Sequence, residues 1–103
     1  MNQSLFAGIA SDQAELGLLI LKSKLWSVVT KIITDRGLTQ RQAAELLGIS
    51  QPRVSNMMKG KLEKFSMYFF IEALVHLGHK LDLDFTPYNE EQPLSIYVKK
   101  AAL

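Results

Sequence analysis

The stretch over residues 39–61, TQRQAAELLGISQPRVSNMMKGK, restricts the fold more than any other part of this chain. It predicts two short helices joined by a tight turn. Thr39 can cap the first helix through its hydroxyl, and Gln42, three residues later, completes a capping-box pattern. Gly48 marks the end of that helix because glycine adopts a positive φ without a steric penalty. Ser50 can then cap the second helix.

Both predicted helices have an apolar face at helical spacing. The apolar positions are Ala43, Leu46 and Leu47 in the first helix, and Val54, Met57 and Met58 in the second. Ala44 is small, which lets the two helices approach closely. A helix, a tight turn and a second helix with a polar outer face form the geometry that places one helix in the major groove of DNA.

The polar outer face of the second helix contains the candidate base-reading residues. An arginine can bond two acceptors of guanine, and glutamine and asparagine can pair with adenine. A proline can offer only apolar contact, for example to a thymine methyl group. The predicted base-reading residues are Gln51, Pro52, Arg53, Ser55 and Asn56, of which Arg53 could instead hold a phosphate. The alternative is that these are solvated helix residues without a ligand.

Phosphate contacts are expected around this face. The start of the first motif helix presents free amides and a positive dipole end, which favour a phosphate. The predicted phosphate-binding residues are Thr39, Gln40, Arg41, Lys59, Lys61 and Lys64. Residues 37–64 carry five basic and two acidic side chains, whereas residues 81–91 carry four acids and no lysine or arginine. This asymmetry suits a polyanion at one surface, although scattered solvated charge is an equal alternative.

The motif resembles a known family. The spacing of Gln40, Ala44, Gly48, Ile49 and Val54 is similar to the helix-turn-helix of the Cro/phage-repressor (XRE) family. A wider likeness, over roughly residues 5–84, is to the HigA-like antitoxins of type II toxin–antitoxin pairs. The RGLTQ, LLG-S-PRVS and GK-x-x-x-FS segments carry this second resemblance.

The resemblance implies roles for particular residues. Gln51 and Asn56 match positions that often read bases in the phage-repressor family, and Gln40 matches a position that contacts phosphate. In that family the residue at the position of Pro52 also reads bases, so part of the base readout is altered in this chain. The HigA-like resemblance further implies an antitoxin that represses its own operon and neutralises a RelE/HigB-like ribonuclease toxin.

The expected function is therefore a sequence-specific repressor that binds an inverted-repeat operator in double-stranded DNA as a homodimer. Two alternatives remain open. One is a stand-alone phage-type regulator without a toxin partner, and the other is a protein-interaction module that has lost DNA binding.

The expected fold is a mainly α helix-turn-helix bundle in a single domain over residues 1–103, with the helix-turn-helix at 38–61 and a strand and tail at 80–103. Residues 1–10 are expected to be irregular, with Leu5, Phe6 and Ile9 available to anchor them to the core. A long helix is predicted from about 12 to 36. Its apolar stripe is broadened by Leu16, Leu19, Ile20 and Trp26, which favours either a partner contact or burial under the N-terminal segment.

A fourth helix is predicted over about residues 67–77, capped by Ser66. Its expected core side comprises Tyr68, Phe69, Ile71, Leu74, Val75 and Leu77. Residues 80–85 alternate polar and apolar, which predicts a half-buried strand. A strand needs a hydrogen-bonding partner. The candidates are residues 95–98 of the same chain or the same strand in a second subunit of a dimer.

Other functional classes have little support in the sequence. The absence of cysteine excludes disulfides and cysteine zinc sites, and it suits a reducing cytoplasm. No apolar run reaches the ~18 residues needed to span a bilayer. His76 and His79 lack a third metal ligand, and the chain has no phosphate-binding glycine loop or nucleophile elbow. We therefore expect no enzyme activity, cofactor, metal or membrane partner.

Overall fold

The computed structural model describes the backbone of residues 3–101 and the side chains of residues 12–101. In this part of the chain, the elements are α1 (Gln3–Asp35), α2 (Gln40–Leu47), α3 (Gln51–Met58), a 3₁₀ turn (Leu62–Lys64), α4 (Met67–His76), β1 (His79–Phe85) and β2 (Leu94–Lys100). The predicted mainly α helix-turn-helix bundle with a C-terminal strand is confirmed. None of the helices in the described part of the chain has the length and hydropathy of a bilayer-spanning segment.

Helix α1 begins earlier than predicted. The expectation of an irregular segment over residues 1–10 is wrong from Gln3 onward, because the helix continues to that residue. Extending an existing helix fixes few additional dihedral angles for each hydrogen bond gained, and no proline interrupts this segment. The predicted anchors Leu5, Phe6 and Ile9 lie outside the residues whose side chains are described.

The two halves of α1 have different surroundings. Leu25, Val29 and Ile33 in the C-terminal half are at most 5% exposed. In contrast, all residues from 12 to 20 are exposed, including four large apolar side chains, Leu16, Leu18, Leu19 and Ile20. The C-terminal half is therefore the part of α1 that supports the motif.

One hydrophobic core joins the helices. Its buried members are Leu25, Val29 and Ile33 of α1, Ala43, Ala44 and Leu47 of α2, Val54 and Met57 of α3, Phe65, and Phe70, Ala73, Leu74 and Leu77 around α4. In the motif, Leu46 is an exception to the predicted apolar faces because it is 43% exposed.

The predicted core side of α4 is partly wrong. Tyr68 and Val75 are 66% and 59% exposed, whereas Phe70 and Ala73 are buried. The sequence YFFIEALV is apolar on nearly all sides, so periodicity alone does not fix which face turns inward. Tertiary packing decides it: Phe70 is fully buried in the core, where its ring centroid lies 5.8 Å from that of Phe65.

The C-terminal strands form an antiparallel hairpin, in which Leu83 pairs with Ile96 and Phe85 with Leu94. Of the two predicted pairings, this is the one within the same chain, and the partner strand is longer than the predicted residues 95–98. The predicted half-burial applies only near the start of β1. Leu81 packs against the core, but Leu83 and Phe85 are 60% and 69% exposed.

Two side chains tie the first helix to distant parts of the bundle. The indole Nε1 of Trp26 donates to the main-chain oxygen of Met57, at 2.7 Å, near the end of α3. The guanidinium of Arg36 donates to the main-chain oxygen of Leu77, at 2.6 Å, just after α4. Trp26, which broadened the predicted apolar stripe, therefore positions α3 within the bundle.

Trp26→Phe keeps an aromatic ring but removes the hydrogen bond to the Met57 oxygen. We therefore expect this substitution to lower the free energy of unfolding by about 1 kcal/mol. Urea denaturation followed by circular dichroism measures this change. Tyr68→Phe, at an exposed residue, is the matched control and should leave the stability within ±0.5 kcal/mol. Equal stability of both variants would contradict the assigned role of the indole.

Candidate nucleic-acid interface

Helix α2 begins in a complete capping box. The Thr39 hydroxyl accepts a hydrogen bond from the Gln42 amide at 3.0 Å, and the Gln42 side-chain oxygen accepts one from the Thr39 amide at 2.9 Å. Gly48 ends the helix with φ 68°, and the Ile49 amide bonds to the Ala44 oxygen at 3.0 Å. The predicted caps of α2 are thus confirmed, and they fix where α3 can start.

Helix α3 starts at the predicted position. The Ser50 hydroxyl accepts a hydrogen bond from the Arg53 amide at 3.3 Å, and Pro52 lies in the first turn. Val54 and Met57 are fully buried. Because successive residues of an α-helix are about 100° apart, burial of these two residues sets the rotation of α3 about its axis.

That rotation determines which residues α3 presents outward. Pro52 lies near the middle of the face opposite Val54 and Met57. Ser55 and Asn56 lie on either side of Pro52, and Gln51 and Arg53 lie at the two margins. Pro52, Gln51 and Arg53 are exposed, and Ser55 and Asn56 are half-buried. The structure therefore places the predicted base-reading residues on or at the margin of one surface.

Arg53 is held by aromatic rings that the sequence reasoning did not connect with it. Its guanidinium carbon lies 4.6 Å from the centroid of Phe65 and 5.4 Å from that of Phe69. Attraction between the cation and the ring faces limits the motion of an otherwise exposed side chain. The sequence indicates Ser66 only as the cap of α4, and nothing in it links Phe65 or Phe69 with Arg53.

The predicted phosphate-binding residues are all exposed. The Thr39 hydroxyl is an acceptor in the capping box, so its proton remains available as a donor. The Nε atom of Arg41 lies 3.6 Å from Oε1 of Glu45, one turn later in α2. The carboxylate of Glu45 therefore offsets part of the positive charge of Arg41. Three further cations follow α3: Lys59 and Lys61 precede the 3₁₀ turn, and Lys64 is its last residue.

Other kinds of site are not prominent in the described residues. No group of three or more His, Asp or Glu side chains there is arranged to hold a metal ion. A shallow cleft of about 360 Å³ is lined by Ile32, Asp35, Arg36, His79 and Lys100, and it includes no residue of α3.

A capped helix pair with a polar outward face defines the class of protein as helix-turn-helix. Comparison with known proteins agrees. A family model described as a helix-turn-helix domain matches residues 6–86, so the chain belongs to that family, which is one of DNA-binding transcriptional regulators. A solved structure assigned by its name to the XRE family of transcriptional regulators is 27% identical, with a TM-score of 0.69. The match covers 76% of this chain and 88% of that one. No curated protein has a significant sequence match.

We expect Thr39→Ala to lower the free energy of unfolding by about 1 kcal/mol, because it removes the acceptor for the Gln42 amide. Chemical denaturation of the purified variant measures the loss. Thr39→Ser keeps the hydroxyl and should retain most of the stability. An equal loss in both variants would show that the threonine methyl group, not the cap, is responsible.

Proposed function

We propose that this protein is a sequence-specific transcriptional repressor that inserts α3 into the major groove of operator DNA. Full burial of Val54 and Met57 is the observation that carries the proposal, because it turns the polar side of α3 outward. In this proposal the base-reading residues are Gln51, Pro52, Arg53, Ser55 and Asn56. Membership of a helix-turn-helix family and the likeness to an XRE-family regulator support the same function.

The surrounding charges suit the DNA backbone. In this proposal, Thr39, Gln40, Arg41, Lys59, Lys61 and Lys64 contact phosphates. Each neutralised phosphate contributes about 0.9 to the slope of log affinity against log salt concentration. The chain works in the cytoplasm as a single domain, and two copies place their α3 helices in successive major grooves about 34 Å apart on an inverted repeat.

We expect Asn56→Ala and Arg53→Lys each to weaken binding to the upstream operator by about 1–3 kcal/mol, because each removes a side chain that reads a base. Arg53→Lys keeps the positive charge and loses the bidentate fork, so it separates base reading from simple charge. A gel-shift titration at fixed salt, with specific and scrambled duplexes, measures both affinity and specificity.

Lys31→Ala is the control, because Lys31 is an exposed cation on α1 that pairs with Asp35, outside the motif. It should leave the affinity for the operator nearly unchanged. If Asn56→Ala and Arg53→Lys bind specific and scrambled DNA as the unmodified protein does, the assigned reading face is wrong.

We further propose that the protein is the antitoxin of a type II pair and neutralises a RelE/HigB-like toxin. The exposed segment of α1 over residues 12–20 is the feature that favours this function over a stand-alone regulator. Leu16, Leu19 and Ile20 lie at i, i+3 and i+4 and are 46–57% exposed. This is the spacing with which an amphipathic helix anchors in a partner's groove.

The charge of the same segment supports a basic partner. Asp12 and Glu15 are exposed beside the apolar residues, and the first lysine of α1 after them is Lys22. An acidic and apolar helix face complements an RNA-cleaving protein, which needs positive charge to bind its substrate.

Co-expression with a small basic reading frame beside the gene tests this role. We expect the two products to purify as a complex, and Leu16→Ser with Leu19→Ser to weaken the complex without weakening operator binding. Leu18→Ser is the matched control, because Leu18 is 56% exposed on the opposite side of α1. The absence of any complex would leave a stand-alone regulator and contradict the antitoxin role.

A further inference from the structure

The hairpin has two outer edges whose main-chain groups can be assigned. The Thr86 amide donates to the Pro93 oxygen at 2.7 Å, and the Ala101 amide donates to the Gly78 oxygen at 2.9 Å. In an antiparallel pair, hydrogen-bonded and non-bonded residue pairs alternate. With the observed register, the bonded pairs are Lys80 with Lys99, Asp82 with Tyr97, and Asp84 with Ser95. The intervening residues of both strands therefore direct their N–H and C=O groups outward.

The edge of β1 is closed at its centre. The outward amide of Leu83 donates to the carboxylate of Asp82 at 3.0 Å. The other oxygen of Asp82 accepts a hydrogen bond from Lys99 at 2.9 Å. The hydrogen bond and positive charge of Lys99 lower the pKa of the Asp82 carboxyl, which favours the ionised form that accepts both hydrogen bonds.

The edge of β2 is open. Among the backbone groups of residues 3–101 and the side chains of residues 12–101, no hydrogen bond satisfies the outward amides of Leu94, Ile96 and Val98. No proline interrupts the seven residues of β2. An edge strand of this kind is a template for pairing with another chain.

One face of the hairpin is also apolar and exposed. Leu83 pairs with Ile96 and Phe85 with Leu94, and these four side chains are 46–69% exposed. Because cross-strand partners lie on the same face of a sheet, they form a continuous patch. Exposed apolar patches of this kind mark interaction surfaces.

We propose that β2 pairs antiparallel with β2 of a second copy of this chain, which joins the two hairpins into one four-stranded sheet. The pairing is two-fold symmetric, so each copy contributes the same surface. This inference rests on the proposed dimeric repressor and specifies its interface.

The charges around β2 favour this occupant and this direction. Lys99 and Lys100 lie at one end of the strand, and Glu90 and Glu91 lie in the loop that precedes its other end. Antiparallel pairing places the basic end of each copy beside the acidic loop of its partner. Parallel pairing would instead place like charges together.

The outward geometry limits where the two-fold axis can lie. The even-numbered residues of β2 point their main-chain groups outward, so even-numbered residues of one copy lie opposite even-numbered residues of the other. A two-fold axis near the centre of the strand therefore places Ile96, Tyr97 or Val98 directly opposite the same residue of the second copy. Opposite residues in an antiparallel pair have Cα atoms about 4.5–5.5 Å apart, which is within the range for a disulfide. The chain has no native cysteine, so a single introduced cysteine reports on one position.

The test uses the full-length protein with Ile96→Cys, Tyr97→Cys or Val98→Cys, and Leu83→Cys on β1 as the exposed control. Under mild oxidation, we expect more than half of one of the three β2 variants to become covalent dimer, and less than a tenth of the control. Ile96→Pro, which removes an outward amide and no hairpin bond, should raise the dimer dissociation constant at least tenfold over Ile96→Thr. Circular dichroism verifies the fold of each variant.

The outcomes separate this inference from the proposed function. A dimer in solution with no cross-linking at any of the three positions overturns the β2 pairing and leaves the repressor function intact. A strict monomer at micromolar concentration also overturns the pairing. A β2-linked dimer that does not bind the upstream DNA supports the pairing and contradicts the repressor function.

Discussion

Burial of Val54 and Met57 is the constraint on which the rest of the molecule depends. Both side chains are fully buried, and a helix of eight residues with two fixed inward positions has only one possible outward face. The hydrogen bond from Trp26 to the Met57 oxygen holds the same helix against α1. The core therefore positions α3 and also selects the residues that α3 presents to solvent.

This constraint links the fold to the chemistry of the outward surface. Pro52 lies near its middle with Asn56 beside it, so the central position can make only apolar contact while its neighbour can make two hydrogen bonds. Arg53 lies at the margin with its guanidinium on the rings of Phe65 and Phe69. A cation held in one place loses less conformational entropy when it binds a base or a phosphate than a freely moving side chain does.

The parts of the structure that were predictable from the sequence are those set by local interactions. Thr39, Gly48 and Ser50 act within a few residues of their own positions, so both motif helices and their turn could be predicted. The inward face of α4 could not, because its sequence is apolar on almost every side and packing in the core, where Phe70 is fully buried, decides it. The contacts of Trp26 and Arg53 could not be predicted either, because their partners are distant in sequence or on another element.

The C-terminal region shows how periodicity can indicate an element without indicating its environment. The alternation over residues 80–85 predicted a strand, and the strand exists. It did not predict that Leu83 and Phe85 would remain exposed, because alternation does not indicate which residues the core covers, and here it covers only Leu81 of the three. The exposed face and the unequal edges became visible only from the register and the hydrogen bond between Asp82 and Leu83.

The most direct measurement is an NMR titration of ¹⁵N-labelled protein with a duplex from its own upstream region. If α3 enters the major groove, the largest amide shifts will fall on residues 51 and 53–56, and on 39–42 at the start of α2. They will be smaller with a scrambled duplex at the same salt concentration. Shifts confined to the hairpin or to the first half of α1, or no difference between the two duplexes, would contradict sequence-specific binding through α3.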